Sequence, residues 1–396
     1  MTDSSHPELC QLIRQHIQEC PHQRIAFAEY MTWVLYHPEY GYYSRGAGIG
    51  AAGDFATSPH LCADFGETLA EQFVEMWQFL GCPKPFHLVE MGAGQGILAG
   101  DILRYLRDRH LDFYQSVAYS IVERSEFLKQ EQQQRLKNAP IRWCELDELP
   151  EDSITGCFFS NELIDAFPVH QFVIQSGKLK EIYITNSSDP ETINFLEVVG
   201  EPSTSKLAEY LEFSGIDVNC YPEGYRSEVN LAALDWVETV AQRLHRGYLL
   251  TIDYGYSADR YYSLGRSQGT LQCYYQHRYH DNPYVYIGNQ DITAHVNFTA
   301  LQRQGELSGL STLGFTQQGL FLMALGWSDR LVQLGNSPEG QRIATAQEIN
   351  QIMQRRQALH ALIDPMGLGK FGVLIQGKGL SQEERARSPK GLMEPM

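Results

Sequence analysis

The chain has 396 residues, 43% of them hydrophobic and 11% aromatic, and a formal net charge of −17. That composition belongs to a folded chain with room for a core domain plus additions, and it excludes disorder. The acidic excess argues against nucleic-acid binding, which needs a basic surface to displace counterions, and no apolar run is long enough for insertion into a membrane.

In chain order, residues 8–19 and 25–36 are expected to form two amphipathic helices. In the second, Ile25, Phe27, Met31, Val34 and Leu35 approximate one face. Pro38 and Gly41 end that pattern, and a glycine-rich stretch closes on Gly53-Asp54-Phe55-Ala56-Thr57-Ser58-Pro59. Residues 65–80 read as a third helix. Residues 1–85 are therefore expected to be a helical extension with a glycine-rich loop, ahead of an α/β domain over 86–377.

The domain opens with a strand, a glycine turn and a helix at 97–109. Residues 117–122, 141–144, 156–160 and 247–254 read as strands two to five, and 127–137 and 229–244 as helices. Residues 169–228 break the rhythm. Two apolar runs there flank Ser176-Gly177, a hairpin signal, so this stretch is expected to be an insertion. Residues 265–291 are rich in Tyr, His, Arg and Gly; a structureless loop of that length in a compact enzyme is usually functional. Residues 298–310 and 344–362 look helical, 313–325 and 371–376 look like the last strands, and 378–396 like a flexible tail. Eight cysteines are scattered without Cys-x-x-Cys and read as reduced thiols; with no His-Glu-x-x-His either, no metal site is expected. The first residues resemble neither a secretion signal nor a transit peptide, so a cytoplasmic location is expected.

The stretch 87–96, His-Leu-Val-Glu-Met-Gly-Ala-Gly-Gln-Gly, carries the most chemical information. Gly92, Gly94 and Gly96 alternate after Glu90, which lets backbone approach a ligand where a Cβ would block it. A P-loop would need a following Lys-Ser/Thr, which is missing. A dinucleotide fingerprint fits only loosely, and Glu90 would face a pyrophosphate. A cationic ligand without phosphate suits Glu90 better. S-adenosylmethionine has a sulfonium and an α-ammonium, and class I methyltransferases typically carry acid-x-Gly-x-Gly-x-Gly at this turn. The bland alternative is a glycine turn that only permits tight packing.

Glu123, at the end of the second strand, is placed to accept the ribose hydroxyls of an adenosine; alternatively it opens the following helix. Asn161, Glu162 and Asp165 follow strand four. There two carboxylates can hold a guanidinium through paired, charge-assisted hydrogen bonds, or simply begin a helix. Asp54, Thr57 and Ser58 either cap a helix or close over the methionine end of the cofactor. Asp253, Tyr254, Arg266 and His295 are candidate acceptor-binding residues.

These residues fall into a wider pattern. Ala28-Glu29-Tyr30-Met31, Gly41-Tyr42-Tyr43, Gly53-Asp54-Phe55, Thr57-Ser58-Pro59, residues 90–96 and 161–168, Asp253-Tyr254-Gly255, Gly269-Thr270-Leu271, His277-Arg278 and 291–296 follow one another in order. With them the chain resembles the MidA-like methyltransferases, a class I family that includes the mitochondrial complex I assembly factor with protein-arginine methyltransferase activity. The resemblance implies a Rossmann-like, mostly parallel seven-stranded sheet with helices on both faces and S-adenosylmethionine as cofactor. It also implies a protein substrate, with symmetric dimethylation of an arginine in a complex I-type subunit. Asn297 stands where the family often has Asp. The alternatives are transfer to another protein residue or a small molecule, and a cofactor-bound assembly chaperone.

Overall fold

The computed structural model describes residues 5–46, 57–187, 195–335 and 346–395. Its centre is a seven-stranded sheet. In chain order the strands are β1 (Phe86–Met91), β2 (Val117–Val122), β3 (Ile141–Cys144), β4 (Ile154–Asn161), β5 (Leu244–Asp253), β6 (Ser311–Gln317) and β7 (Gly372–Lys378). Their spatial order is 3-2-1-4-5-7-6. The pairs among β1 to β5 are parallel, and β7 runs antiparallel between β5 and β6. This is the expected class I arrangement.

The middle strands are buried on both faces, which is why they read as apolar runs rather than alternating ones. On one face the helices Asp64–Phe79 and Ile97–Arg109 bury Phe73, Leu69, Leu98 and Ile102 against Phe159 and Tyr248. On the other, Leu231–Arg243 and Phe298–Leu307 bury Trp236, Val240 and Leu301 against Phe158 and Leu249. Asn297 caps the second of these, its Oδ1 accepting from the Ala300 N–H at 3.3 Å. The chain leaves β1 towards β2 and β3 on one side and returns to β4 and β5 on the other. Strand order therefore reverses between β1 and β4, and ligands bind at such a switch point beyond the carboxyl ends.

Gly156 and Gly247 sit side by side in β4 and β5. Both have φ in the range that favours glycine, and a Cβ on Gly156 would lie 2.0 Å from the His87 carbonyl oxygen. Gly156→Ala is expected to destabilise the fold by about 3 kcal/mol. Thermal denaturation checks this; a melting point equal to wild type would contradict it.

A second sheet joins the two ends of the expected additions. Arg24–Ala26 pairs with Lys178–Asn186, which pairs with His170–Gln175 and then Arg226–Val229; Phe195–Gly200 also pairs with Lys178–Asn186. The expected hairpin around Ser176-Gly177 is present. The helices Pro7–Glu19 and Phe27–Tyr36 cover the sheet with Leu9, Ile13, Phe27 and Met31. Residues 25–36 are thus a short strand followed by a helix. Ile25 satisfies a helical stripe equally well, but pairing with Ile184 takes it into the sheet.

Three other expectations change. Residues 265–291 are not structureless: Gln272–Tyr275, Arg278–His280 and Asp291–Thr293 form a three-stranded sheet. Gln276 and His277 make its tight turn at φ +48° and +62°, without the Asn-Gly or Asp-Gly pair that usually announces one. Residues 313–325 are half strand, half helix; β6 stops at Gln317 because buried Gln318 turns inward, its N–H donating to the Phe371 carbonyl at 2.7 Å and its Nε2 to the Leu362 carbonyl at 3.1 Å. The tail is not frayed. Leu380 is buried in the core, Leu392 packs on it, and the Lys390 and Gly391 N–H groups donate to Glu75 at 2.8 Å and Gln72 at 3.0 Å.

Candidate active site

A cavity of about 400 Å³ lies at the switch point. The glycine turn after β1 forms its floor. Gly92, Gly94 and Gly96 all have positive φ, at +70°, +52° and +74°. A Cβ on Gly94 would meet nothing within 4 Å, so this backbone faces open space. A Cβ on Gly92 would come within 2.7 Å of Leu163, and one on Gly96 within 3.0 Å of Leu136. Gly92 and Gly94 line the cavity; Gly96 instead begins the helix behind it.

Glu90 lines the cavity from the end of β1 and accepts a hydrogen bond from the Tyr119 hydroxyl at 2.6 Å. Glu123 lines it from beyond β2. Its Oε1 accepts from the Ser125 N–H at 2.9 Å and its Oε2 from Gln132 Nε2 at 3.0 Å. The same Nε2 donates to the Gly94 carbonyl at 2.8 Å, while Gln132 Oε1 accepts from Trp143 Nε1 at 3.0 Å. One buried amide therefore ties the glycine turn to Glu123.

Asn161 and Glu162 line the cavity from the end of β4. Glu162 Oε1 accepts from the Ser58 N–H at 3.2 Å and from Asn161 Nδ2 at 3.0 Å. Its backbone is held at φ +53°, a conformation that costs a non-glycine residue about 1 to 2 kcal/mol. Asp165 is buried just behind. Asn161 Oδ1 and Asp165 Oδ1 are both buried without a hydrogen-bond partner, a state normally avoided unless a ligand or water completes it.

Thr57 lines the cavity and pairs with His60, Oγ1 to Nδ1 at 2.7 Å, as a helix-capping residue; Ser58 is buried beneath it. Asp54 lies outside the described residues. Asp253, Tyr254, Arg266 and His295 do not line the cavity. The Asp253 carboxylate is fully buried and accepts backbone N–H groups of Leu163, Ile164, Asp165 and Tyr254. Tyr254 reaches Asp165, and His295 stacks on Tyr256 at 5.2 Å, with Arg266 over the same ring at 4.0 Å. The structure therefore does not bring these four together with the cavity residues; their polar groups are engaged within the protein.

Sequence reasoning missed the opposite wall. Tyr36 and Tyr43 stack at 5.5 Å and line the cavity, with Tyr36 donating to the Ala166 carbonyl at 2.7 Å and Tyr43 to Asp291 Oδ1 at 2.8 Å. Gln95, Arg124 and Phe127 line it too.

Four glutamates and one arginine line the cavity. Burial pushes Glu90 up to about 7, and burial with the neighbouring Asp165 pushes Glu162 up to about 8; burial takes Asp165 up to about 6. Among the described residues, neither Glu90 nor Glu162 has a cationic partner. A ligand bearing positive charge and no phosphate fits this donor set; a dinucleotide does not.

The raised values have a stability consequence. The folded chain keeps protons that the unfolded chain releases near pH 4.5, so stability falls as pH rises towards the folded values. Buried histidines such as His295, lowered to about 4 by burial, act oppositely, but only below about 6.5. Between pH 6.5 and 8 the ligand-free protein is therefore expected to lose about 2 kcal/mol through Glu90 and Glu162. Thermal melts across that range test this, and a flat profile would contradict it.

The sequence matches the family model for S-adenosyl-L-methionine-dependent methyltransferases of the Methyltransf_28 type over residues 68–316. The chain is 31% identical, over 95% of its length and 86% of the relative's, to the Drosophila melanogaster protein named protein arginine methyltransferase NDUFAF7 homolog, mitochondrial. It is 29% identical to the human protein arginine methyltransferase NDUFAF7, covering 78% of this chain and 71% of that one. A COG1565 superfamily member from Burkholderia thailandensis, solved with S-adenosyl-homocysteine bound, superposes with a TM-score of 0.82 at 32% identity, over 96% of this chain and 95% of that one.

Proposed function

Because the chain belongs to the MidA-like family of S-adenosyl-L-methionine-dependent methyltransferases, we propose that it methylates an arginine guanidinium of a protein. The observation that carries this reading is the pair of carboxylates directly after β4, half-buried Glu162 and buried Asp165, with no cation paired to either among the described residues. The names of the relatives support the same acceptor.

The cofactor supplies an electrophilic methyl group on a sulfonium. Gly92 and Gly94 give it backbone clearance, Glu90 faces its cationic amino-acid end, and Glu123 takes the ribose hydroxyls. Thr57 and Ser58 close that end. Glu162 and Asp165 hold the guanidinium by charge-assisted hydrogen bonds, and Asn161 Oδ1 offers a third acceptor. Their work is alignment, since in-line displacement depends on a held nucleophile. As the nitrogen–methyl bond forms and the sulfur–methyl bond breaks, the substituted nitrogen sheds a proton, and Glu162 is the carboxylate poised to accept it near neutral pH. Tyr36 and Tyr43 keep water from this side of the cavity.

The acceptor is proposed to be a protein, with a respiratory complex I-type subunit the first to assay, and the product symmetric dimethylarginine. No described helix is long and apolar enough to cross a membrane. The test is incubation with methyl-tritiated S-adenosylmethionine and candidate subunits, followed by acid hydrolysis and amino-acid analysis. Label in methylated arginine supports the reading; label only in another residue or a small molecule overturns it.

A further inference from the structure

The parallel ladder of β4 and β5 ends at Asn161 opposite Ile252, with the Glu162 N–H donating to the Ile252 carbonyl at 2.9 Å. Beyond that point the chain curls into the single 3₁₀ turn Ile164–Ala166, which has no side-chain cap of its own. Its free amides turn back towards β5. Asp253 Oδ2 accepts from the N–H groups of Leu163 at 3.2 Å, Ile164 at 2.9 Å and Asp165 at 3.4 Å, and Oδ1 accepts from Tyr254 N–H at 2.9 Å. The carbonyls of the turn are held as well: Ile164 by Asn230 Nδ2 at 3.4 Å, Asp165 by the Ala294 N–H at 2.9 Å, and Ala166 by Tyr36.

We infer that Asp253 is a positioning residue: its carboxylate gathers the three amides after Glu162 and so fixes the backbone that presents Glu162 and Asp165 to the acceptor. The functional part of this statement rests on the acceptor reading above. The physical need is plain. Successive N–H groups converging on one point form an anion nest, and three buried donors left without an acceptor would each carry a desolvation penalty. An asparagine cannot replace the carboxylate fully, because one of its two polar atoms is a donor. The positive φ at Glu162 persists only where its surroundings over-determine it; the Ile252 carbonyl holds its N–H from one side, and Asp253 holds the three amides that follow. The groups facing Asp253 are Glu162 and Asp165 from the segment after β4 and Tyr254 just beyond β5, with Tyr274 of the small sheet facing Glu162 and Asp165.

Two readouts test this without any acceptor. In the wild-type protein, hydrogen exchange of a peptide covering 162–166 is expected to be slow although the segment is not regular secondary structure. In Asp253→Asn that peptide is expected to exchange at least tenfold faster, with peptides in β1 unchanged and S-adenosylhomocysteine affinity within about threefold. Carbon NMR of labelled glutamate carboxyls, assigned with Glu162→Gln, is the second readout. The Glu162 resonance is expected to move in Asp253→Asn, because its backbone is released, while Glu90 stays. Fast wild-type exchange, or an Asp253→Asn variant with wild-type exchange and an unmoved Glu162 resonance, overturns the proposal. If the variant does not fold, the wild-type exchange rate decides alone. A wrong acceptor would leave both readouts untouched and show only in the methyl-transfer assay.

Discussion

Glu162→Gln is expected to lower methyl transfer by a factor of 10² to 10³ while S-adenosylmethionine affinity stays within about threefold of wild type. Glutamine keeps the shape and can still accept from the Ser58 N–H and from Asn161. It cannot offer a negative charge to a guanidinium, and it cannot take the proton that the methylated nitrogen releases. The loss should therefore fall on turnover rather than on cofactor binding. It should also be asymmetric in pH: the wild-type rate rises as Glu162 ionises towards about 8, and that limb should vanish in the variant. Single-turnover rates measured between pH 6 and 9, together with calorimetric titration of the cofactor, check both statements. Wild-type turnover in the variant would remove Glu162 from the acceptor site.

Glu123→Ala should do the opposite, weakening cofactor binding by about 10² with chemistry secondary. The substitution removes the half-buried carboxylate proposed to accept from two ribose hydroxyls, and hydrogen bonds to a charged group are each worth about 1.5 to 3 kcal/mol. The substitution also strands Gln132, whose Nε2 bridges Glu123 and the Gly94 carbonyl. The glycine turn then loosens along with the ribose end. Calorimetry with S-adenosylhomocysteine measures the effect directly, and near-normal affinity would take Glu123 out of the ribose role.

Strand positions and the glycine turn were legible because their causes are local. β1 and β2 are short apolar runs ending in acids, and alternating glycines are required wherever backbone must meet a ligand or, as at Gly92, a packed Leu163. What was not legible depends on partners far away in sequence. Tyr36 and Tyr43 look like aromatic residues at the end of an amphipathic helix; only the fold brings them to Ala166 and Asp291. Gln132 lies in a polar helix with no pattern to mark it as buried. Asp253 was recognised as an acid at a strand end, yet such an acid can face a ligand or its own backbone. The choice was made by a turn ninety residues earlier, whose Leu163, Ile164 and Asp165 amides converge on the Asp253 carboxylate. The small sheet over 272–293 was hidden by a turn, Gln276-His277, that lacks the usual glycine.

The strand Arg24–Ala26 bears on how the protein is made. Its partner, Lys178–Asn186, is translated roughly 160 residues later, and Asp291, which holds Tyr43, later still. At about 5–20 residues per second, the first segment leaves the ribosome on the order of ten seconds before anything exists for it to pair with. During that interval the apolar faces of its two helices, with Leu9, Ile13, Phe27 and Met31, have no native cover. The wall of Tyr36 and Tyr43 is therefore the first part of the cavity to be synthesised and among the last to be seated, so a nascent chain arrested before residue 178 should display that segment to chaperones.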